Sequence, residues 1–301
     1  MTISRAQLAK ELEPGLNALF GLEYDRYEDE AAEIFESEGS DRAFEEEVML
    51  SGFGTAPVKS EGSAINFDNA QETYTARYTM ETIALAFSIT EEAVEDNLYD
   101  RLAARYTRAL ARSMAQTKQI KGATVLNNAF STASPIGDGA ALCSAAHPSL
   151  SGNQNNLLAT PADLNETSLE DILIQVAGFT DERGLKIAVR GTKLLIPKEL
   201  QFIAERIINS NLRPGTADND INAMKSMGML PEGAVVNHFF TDADAYFVKT
   251  DCPNGFKLFN RTPLKTAMEG DFDTGNMRFK ARERYAYGVS DWRCVFGTPG
   301  A

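Results

Sequence analysis

Two histidines, three cysteines and one tryptophan are all that 301 residues hold of these types, and each scarcity narrows what the chain can be. The cysteines, Cys143, Cys252 and Cys294, are odd in number and far apart, with no CxxC pair. That excludes a disulfide framework and a structural zinc site. No apolar run approaches the ~20 residues of a membrane-crossing helix. The first ten residues lack the apolar stretch of a secretion signal, so the expected compartment is a cytoplasm. GxGxxG, Walker-type, HExxH and GxSxG patterns are all missing. There is no basic excess either: 43 acids face 29 bases, for a net charge of −14. A chain that grips nucleic acid along its whole surface has the opposite sign.

What is present is ordinary in bulk and uneven in distribution. The chain is 43% hydrophobic and 24% charged, as soluble globular proteins are, and long enough for one to two domains. Residues 1–50 hold 14 acids and 4 bases, a net of −10, so the remaining 251 residues carry only −4. The acidic segment reads either as a solvated face or as an arm that docks on a basic surface of a neighbour.

Residues 52–130 carry the clearest pattern. Gly52, Gly54, Pro57, Ser60, Gly62 and Ser63 mark a flexible stretch. Tyr74, Ala76, Tyr78 and Met80 then alternate with Thr73, Thr75, Arg77 and Thr79. After a slip near Thr82 the alternation resumes as Ile83, Leu85, Phe87 and Ile89. Period two predicts strand, and the whole predicts a long hairpin over 52–87 with a polar tip. Such a hairpin finds little of its own chain to pack on. It points to pairing with another subunit, and to an assembly protein rather than an enzyme.

A long helix is predicted next, over about 88–130. Ser88 and Glu91 have capping-box spacing, with Thr90 as the alternative N-cap. Glu91, Glu92, Glu95, Asp96 and Asp100 fill the first turns, and Arg101, Arg105, Arg108, Arg112, Lys118 and Lys121 the rest. Val94, Leu98, Leu102, Tyr106, Leu110 and Met114 form its apolar ladder. At ~1.5 Å per residue it is a rod of roughly 45–60 Å. The plainer alternative is a core helix of an ordinary α/β domain.

Elsewhere the expectations are shorter. Residues 1–50 read as an extended arm with short helical pieces broken at Pro14 and Gly15. Residues 131–161 are loop-rich. Thr167 and Glu170 open a helix to about 178, and Pro197 opens another to about 209. Short strands are predicted at 185–189, 194–196, 234–240, 246–248, 256–259 and 292–296. Residues 266–272 and 277–287 pair through a turn at Asp273, Thr274, Gly275 and Asn276. The interleaving predicts two subdomains that the chain enters more than once.

Chemistry has few places to reside. Cys143 and His147 stand four apart, the spacing of a nucleophile pair or half a metal site on a helix. The flanking Gly137, Gly139 and Pro148 read as loop, so His147 is expected to be structural. His238 is expected to pack within an apolar strand. Asp271 and Asp273 alternate on a turn without a third ligand, and Glu45, Glu46 and Glu47 read as a solvated charge run. No catalytic, cofactor-binding or metal site is assigned.

Several stretches resemble a known family. They are Ala146-His147-Pro148, the run Leu194-Leu195-Ile196-Pro197-Lys198-Glu199-Leu200, Asp220-Ile221-Asn222, the segment from Arg282 to Val289, and Asp291-Trp292-Arg293. In their order they resemble the tailed-bacteriophage major capsid proteins of the Hong Kong 97-type fold, and within them the Mu-like major head subunits.

The resemblance implies an α+β shell subunit: an N-arm (1–50), an E-loop (51–88), a P-domain (89–177 and 261–288, spine helix about 89–130) and an A-domain (178–260 and 289–301). It implies self-assembly as pentamers and hexamers into an icosahedral head around double-stranded DNA, in a virion built in the host bacterial cytoplasm. A separate scaffolding protein, a portal and a decoration protein are the implied partners. The family's scaffolding segment ahead of the arm is expected to be absent, as the hairpin begins near residue 52, so that either a separate scaffold is used or the chain is already the mature form. Lys59 is expected not to cross-link subunits. An encapsulin-like compartment shell and a soluble α/β enzyme with its site near Cys143 and His147 are the competing readings.

Overall fold

The computed structural model describes residues 5–90, 92–93, 99–212, 220–271 and 274–301. The chain opens with α1 (Arg5–Tyr24), then β1 (Glu36–Gly39), β2 (Phe44–Leu50), β3 (Glu72–Thr79) and β4 (Glu81–Ile89). The long helix α2 (Tyr99–Asn127) and α3 (Glu166–Ala177) follow. Next come β5 (Gly191–Pro197), α4 (Gln201–Asn209), α5 (Ala223–Met227), β6 (Ala234–Asn237) and β7 (Tyr246–Thr250). The chain closes with β8 (Phe256–Gly270), β9 (Met277–Val289) and β10 (Val295–Thr298).

Three sheets result, ordered β1-β8-β9-β4, β10-β7-β5-β6, and β2-β3. Successive parts of the chain alternate between the first two. Helices α1 and α2 cover one face of the first sheet, where Leu16, Phe20, Leu110, Ala111 and Met114 pack on Phe279 and Ala281. The second sheet buries Leu194, Ile196, Tyr246 and Val248 with Ile172 and Val176 of α3 and Ala204 of α4. A shared cluster joins the two: Leu126 and Leu258 meet Leu195, Phe247 and Val295.

The sequence is read correctly where periodicity is local. Strands β8 and β9 pair antiparallel from Phe256↔Val289 to Gly270↔Met277. The expected strand 256–259 is the start of β8, whose register slips between Asn260 and Lys265, around Pro263. A proline cannot donate to the ladder, and an irregularity accommodates it. On α2, Leu110 and Met114 are buried, whereas Tyr106 is half exposed and rests on Phe87 at 5.8 Å. Val94 and Leu98 lie outside the described residues. The Thr90 hydroxyl accepts the Ala93 N–H at 3.4 Å, ahead of the described start of α2 at Tyr99. Ser88 is instead a rung of β4, opposite Arg278.

Other expectations are corrected. The N-terminal segment is one helix through Pro14, not short broken pieces. An internal proline costs about 3 kcal/mol. Burial of Leu16 and Phe20 against α2 and the sheet offsets that cost, and Pro14 lies on the exposed side. The hairpin is not 52–87. Its limbs are β2 and β3, paired from Phe44↔Thr79 to Leu50↔Glu72. Strand β4 leaves it and pairs with β9 from Glu81↔Tyr285 to Ile89↔Met277. Asn165 and Ser168, rather than Thr167 and Glu170, form the reciprocal cap of α3. Residues 185–189 form no strand, because Ala188 turns to φ 52°.

Candidate assembly surface

The alternation of β3 sets the two faces of the hairpin. Ala76 and Tyr78 point inward and are buried, while Thr75, Arg77 and Thr79 face out. On β2 the outward residues are Phe44, Glu46, Val48 and Leu50. Arg77 stands 4.1 Å over the Phe44 ring and 3.7 Å from Glu46.

The inward face is clamped to the body. Tyr78 packs edge-on against Phe259 at 4.8 Å, and its hydroxyl meets Ser290, which also engages Glu47. Glu47 in turn holds Lys257, whose ammonium is also 3.1 Å from Glu38. Burial alone would lower the Lys257 pKa, but Glu47 and Glu38 outweigh it and raise it. The three carboxylates at 45–47 are therefore not simply a solvated run: Glu47 is the inner anchor of the hairpin. Close approach of Tyr78 needs Gly288, where a Cβ would stand 2.6 Å from the Tyr78 ring.

Beyond the clamp the chain runs through 51–71 without regular strand. Ser51 and Gln71 close its neck through two hydrogen bonds of 2.8 and 2.9 Å. The Gly54 N–H donates to Asp68 at 2.8 Å and, with the Asn69 N–H, holds the Asp68 carboxyl below its usual range. Arg183 reaches back to Asp68 and Asn69. The loop presents Phe53, Val58, Ile65 and Phe67 to solvent, with Val58 at 99% and Phe67 at 93% exposure. Four exposed apolar side chains on one projecting loop are what an interaction surface offers.

The acidic arm has partners in its own chain. Asp29 accepts from Gln119 at 2.7 Å and Lys118 at 3.1 Å. Burial pushes its pKa up, but those two partners and the Ala32 N–H win, so it lies below the usual value. Glu33 sits 2.9 Å from Lys193, and Glu30 is 2.6 Å from the His238 ring. His238 is therefore not packed in an apolar strand. Strand β6 ends at Asn237, and the His238 side chain stays 61% exposed.

Cys143 and His147 serve different interiors. Cys143 lies in the cluster shared by the two sheets, and burial pushes its thiol pKa up. His147 is held by Asp138 at 2.6 Å and Asn156 at 3.0 Å and stacks on Trp292. Burial also raises the thiols of Cys252 and Cys294. Asp271 engages Thr274 and Arg278, and Asp273 lies outside the described residues. Among the described residues no cluster of His, Cys, Asp or Glu could hold a metal, and no helix is long and apolar enough to cross a membrane.

A search of curated protein sequences finds no match. Solved structures do match in fold. The capsid of an empty GTA particle superposes with a TM-score of 0.59 at 14% identity, covering 91% of each chain. The capsid of Myoviridae phage XM1 gives 0.55 at 12% identity, covering 89% of each. A virus-like particle from Pyrococcus furiosus gives 0.54 at 8% identity, covering 94% of this chain and 97% of that one. These likenesses establish the Hong Kong 97-type capsid fold. The family model described as phage capsid protein matches residues 73–297, three quarters of the sequence from β3 to β10, and the chain belongs to that family.

Proposed function

We propose that this chain is the major head subunit of a tailed phage, assembling as pentamers and hexamers into an icosahedral shell around double-stranded DNA. The observation that carries the reading is the clamped hairpin with its exposed loop at 51–71. Its base is fixed by Tyr78, Ser290, Glu47 and Lys257, while Phe53, Val58, Ile65 and Phe67 are exposed. A rigid base with an apolar free end suits a contact with the next subunit. Within this reading, residues 1–50 are the arm and 51–88 the E-loop, with β2 contributing one limb from the arm side. Residues 89–177 and 261–288 form the P-domain, and 178–260 and 289–301 the A-domain. A separate scaffold and a portal complete the head in the host cytoplasm. No covalent bond joins subunits at Lys59, and the chain has no enzymatic step of its own.

An encapsulin-like shell shares the fold, but the matching family is that of phage capsids. Negative-stain microscopy of the purified protein tests the shell, and the DNA content of the particles separates the two kinds. Deleting residues 56–68 is expected to leave folded protein that closes no shells. Normal shells from that deletion would remove the assigned role of the loop.

A further inference from the structure

Helix α2 is an anomaly in an acidic chain. From Arg101 through Gly137 the sequence has no Asp or Glu at all, although the whole chain has 43 acids. Two of the helix's bases are neutralised from elsewhere: Lys118 by Asp29 at 3.1 Å and Lys121 by Glu81 at 2.6 Å. Arg105, Arg108 and Arg112 are not. All three are exposed, and none has an acidic partner among the described residues. Their spacing of three and four puts them on one helical face. The buried residues Ala103, Thr107, Leu110, Ala111 and Met114 take the opposite side. Ala109, exposed beside the arginines, and the half-buried Ala104 and Ser113 at the edges keep that face low.

We propose that this face of α2 meets the phosphate backbone of duplex DNA, independently of sequence; the inference rests on the shell reading above, in which DNA is enclosed. Seven residues of helix span about 10 Å. That is the axial rise of about three phosphates on one strand. Guanidinium groups suit phosphate oxygens in both charge and geometry. The short side chains around them let a rod-shaped polyanion approach closely. The bare face of the first sheet is also basic, but acids temper it. Arg278 is held by Asp271, and Glu269 stands opposite it in register. Lys280 and Arg282 on that face are exposed and serve as the control. Three contacts per subunit bind weakly. Repetition over a shell would line its interior with cations without fixing the DNA in one register.

The test measures binding of a short mixed-sequence duplex to the purified full chain by fluorescence anisotropy, over a salt series. In R105Q/R108Q/R112Q the slope of log affinity against log salt is expected to become shallower by about 2 to 3. R105K/R108K/R112K should retain it, and so should K280Q/R282Q. An unchanged slope in the glutamine variant overturns the inference, and so does an equal loss in the sheet-face control. Polyglutamate binding with the same arginine dependence, and no DNA binding, overturns it in favour of an acidic protein segment. Shell formation is followed in parallel by electron microscopy. Shells from the glutamine variant with an unchanged DNA slope leave the shell reading intact and remove only this inference. Absence of shells from the unaltered chain removes both.

Discussion

The imidazole of His147 lies flat on the indole of Trp292, 4.4 Å between centroids and 4° between planes. The Arg293 guanidinium stands 4.3 Å over the Trp292 ring system and pairs with Asp291 and Glu182. Around them, Asn156 donates to the carbonyls of Leu142, Trp292 and Val295 and accepts from Ser144. This buried cluster ties the loop after α2 to the C-terminal strand. Both ring nitrogens of His147 are hydrogen-bonded, Nδ1 with Asp138 and Nε2 with Asn156.

Asn156→Ala is therefore expected to destabilise the fold by about 2–4 kcal/mol, because several buried groups lose their partner at once. A thermal melt should fall by several degrees. His147→Gln should act in the same direction, since Asp138 is left buried beside a poorer partner. Cys143→Ala should cost less than either. A melt unchanged in Asn156→Ala would show that water replaces the network.

Glu283 titrates in a useful range. It is buried on β9, accepts from Tyr24 of α1 at 3.3 Å, and faces Lys118 of α2 and Asp29 of the arm. Burial pushes its pKa up to about 6, with Asp29 adding to the rise and Lys118 and Tyr24 opposing it. A carboxyl raised above its unfolded value favours the fold when protonated. Its stabilising contribution is complete below about 4.5 and is lost as pH rises through about 6. The swing is at most about 2 kcal/mol. Asp29, whose pKa is lowered, acts in the opposite sense at lower pH. Glu283→Gln should flatten the dependence between pH 5 and 7 and raise the melting temperature near neutrality. Parallel melting curves for variant and wild type across that range would contradict this.

Gly288→Ala addresses the hairpin clamp. The added Cβ would stand 2.6 Å from the Tyr78 ring, so the ring must shift away from Ser290 and Phe259. Overpacking of this kind costs about 1–3 kcal/mol. Protease should cut within 51–71 faster than in wild type while the global melt falls only modestly. Equal cleavage rates would mean that the clamp does not steady the loop.

How far the sequence can be read depends on whether its signals are local. Helix α2 and the pair β8 and β9 follow their own periodicity and turn residues. Strand β2 hides behind Glu45, Glu46 and Glu47, because Lys257 and Ser290, more than two hundred residues away, make Glu47 an inward residue. Pro14 suggests a break, yet tertiary burial of Leu16 and Phe20 carries α1 through it. His238 looks apolar by its neighbours and stands one residue past the end of β6. The His147–Trp292 stack has no local signature at all.

The acidic arm gives the last expectation. Its charge suggests docking on a neighbour, yet Asp29, Glu30, Glu33, Glu38 and Glu47 find partners within the chain, on Lys118, His238, Lys193 and Lys257. These contacts differ in shielding. Glu33 is largely exposed and reaches the buried Lys193 ammonium from outside, while Glu30 holds the exposed His238 ring and also accepts the His238 N–H at 2.9 Å. The ionic part of both contacts fades as the screening length falls to about 3 Å at 1 M salt. Asp29 is half-buried and also takes two hydrogen bonds, from Gln119 and the Ala32 N–H, which salt does not screen. Close packing supports it: a Cβ at Gly122 of α2 would stand 2.8 Å from Ala31, so the arm lies directly on the helix. Asp29→Asn should therefore loosen the arm at every ionic strength. Glu30→Gln with Glu33→Gln should do so most strongly at low salt, and Glu28→Gln, exposed at the surface, should do nothing. Hydrogen exchange of residues 25–40 reads the arm directly, and light scattering reads assembly. If all three variants match wild type at both salt extremes, the arm is held by apolar packing alone and its charge is incidental.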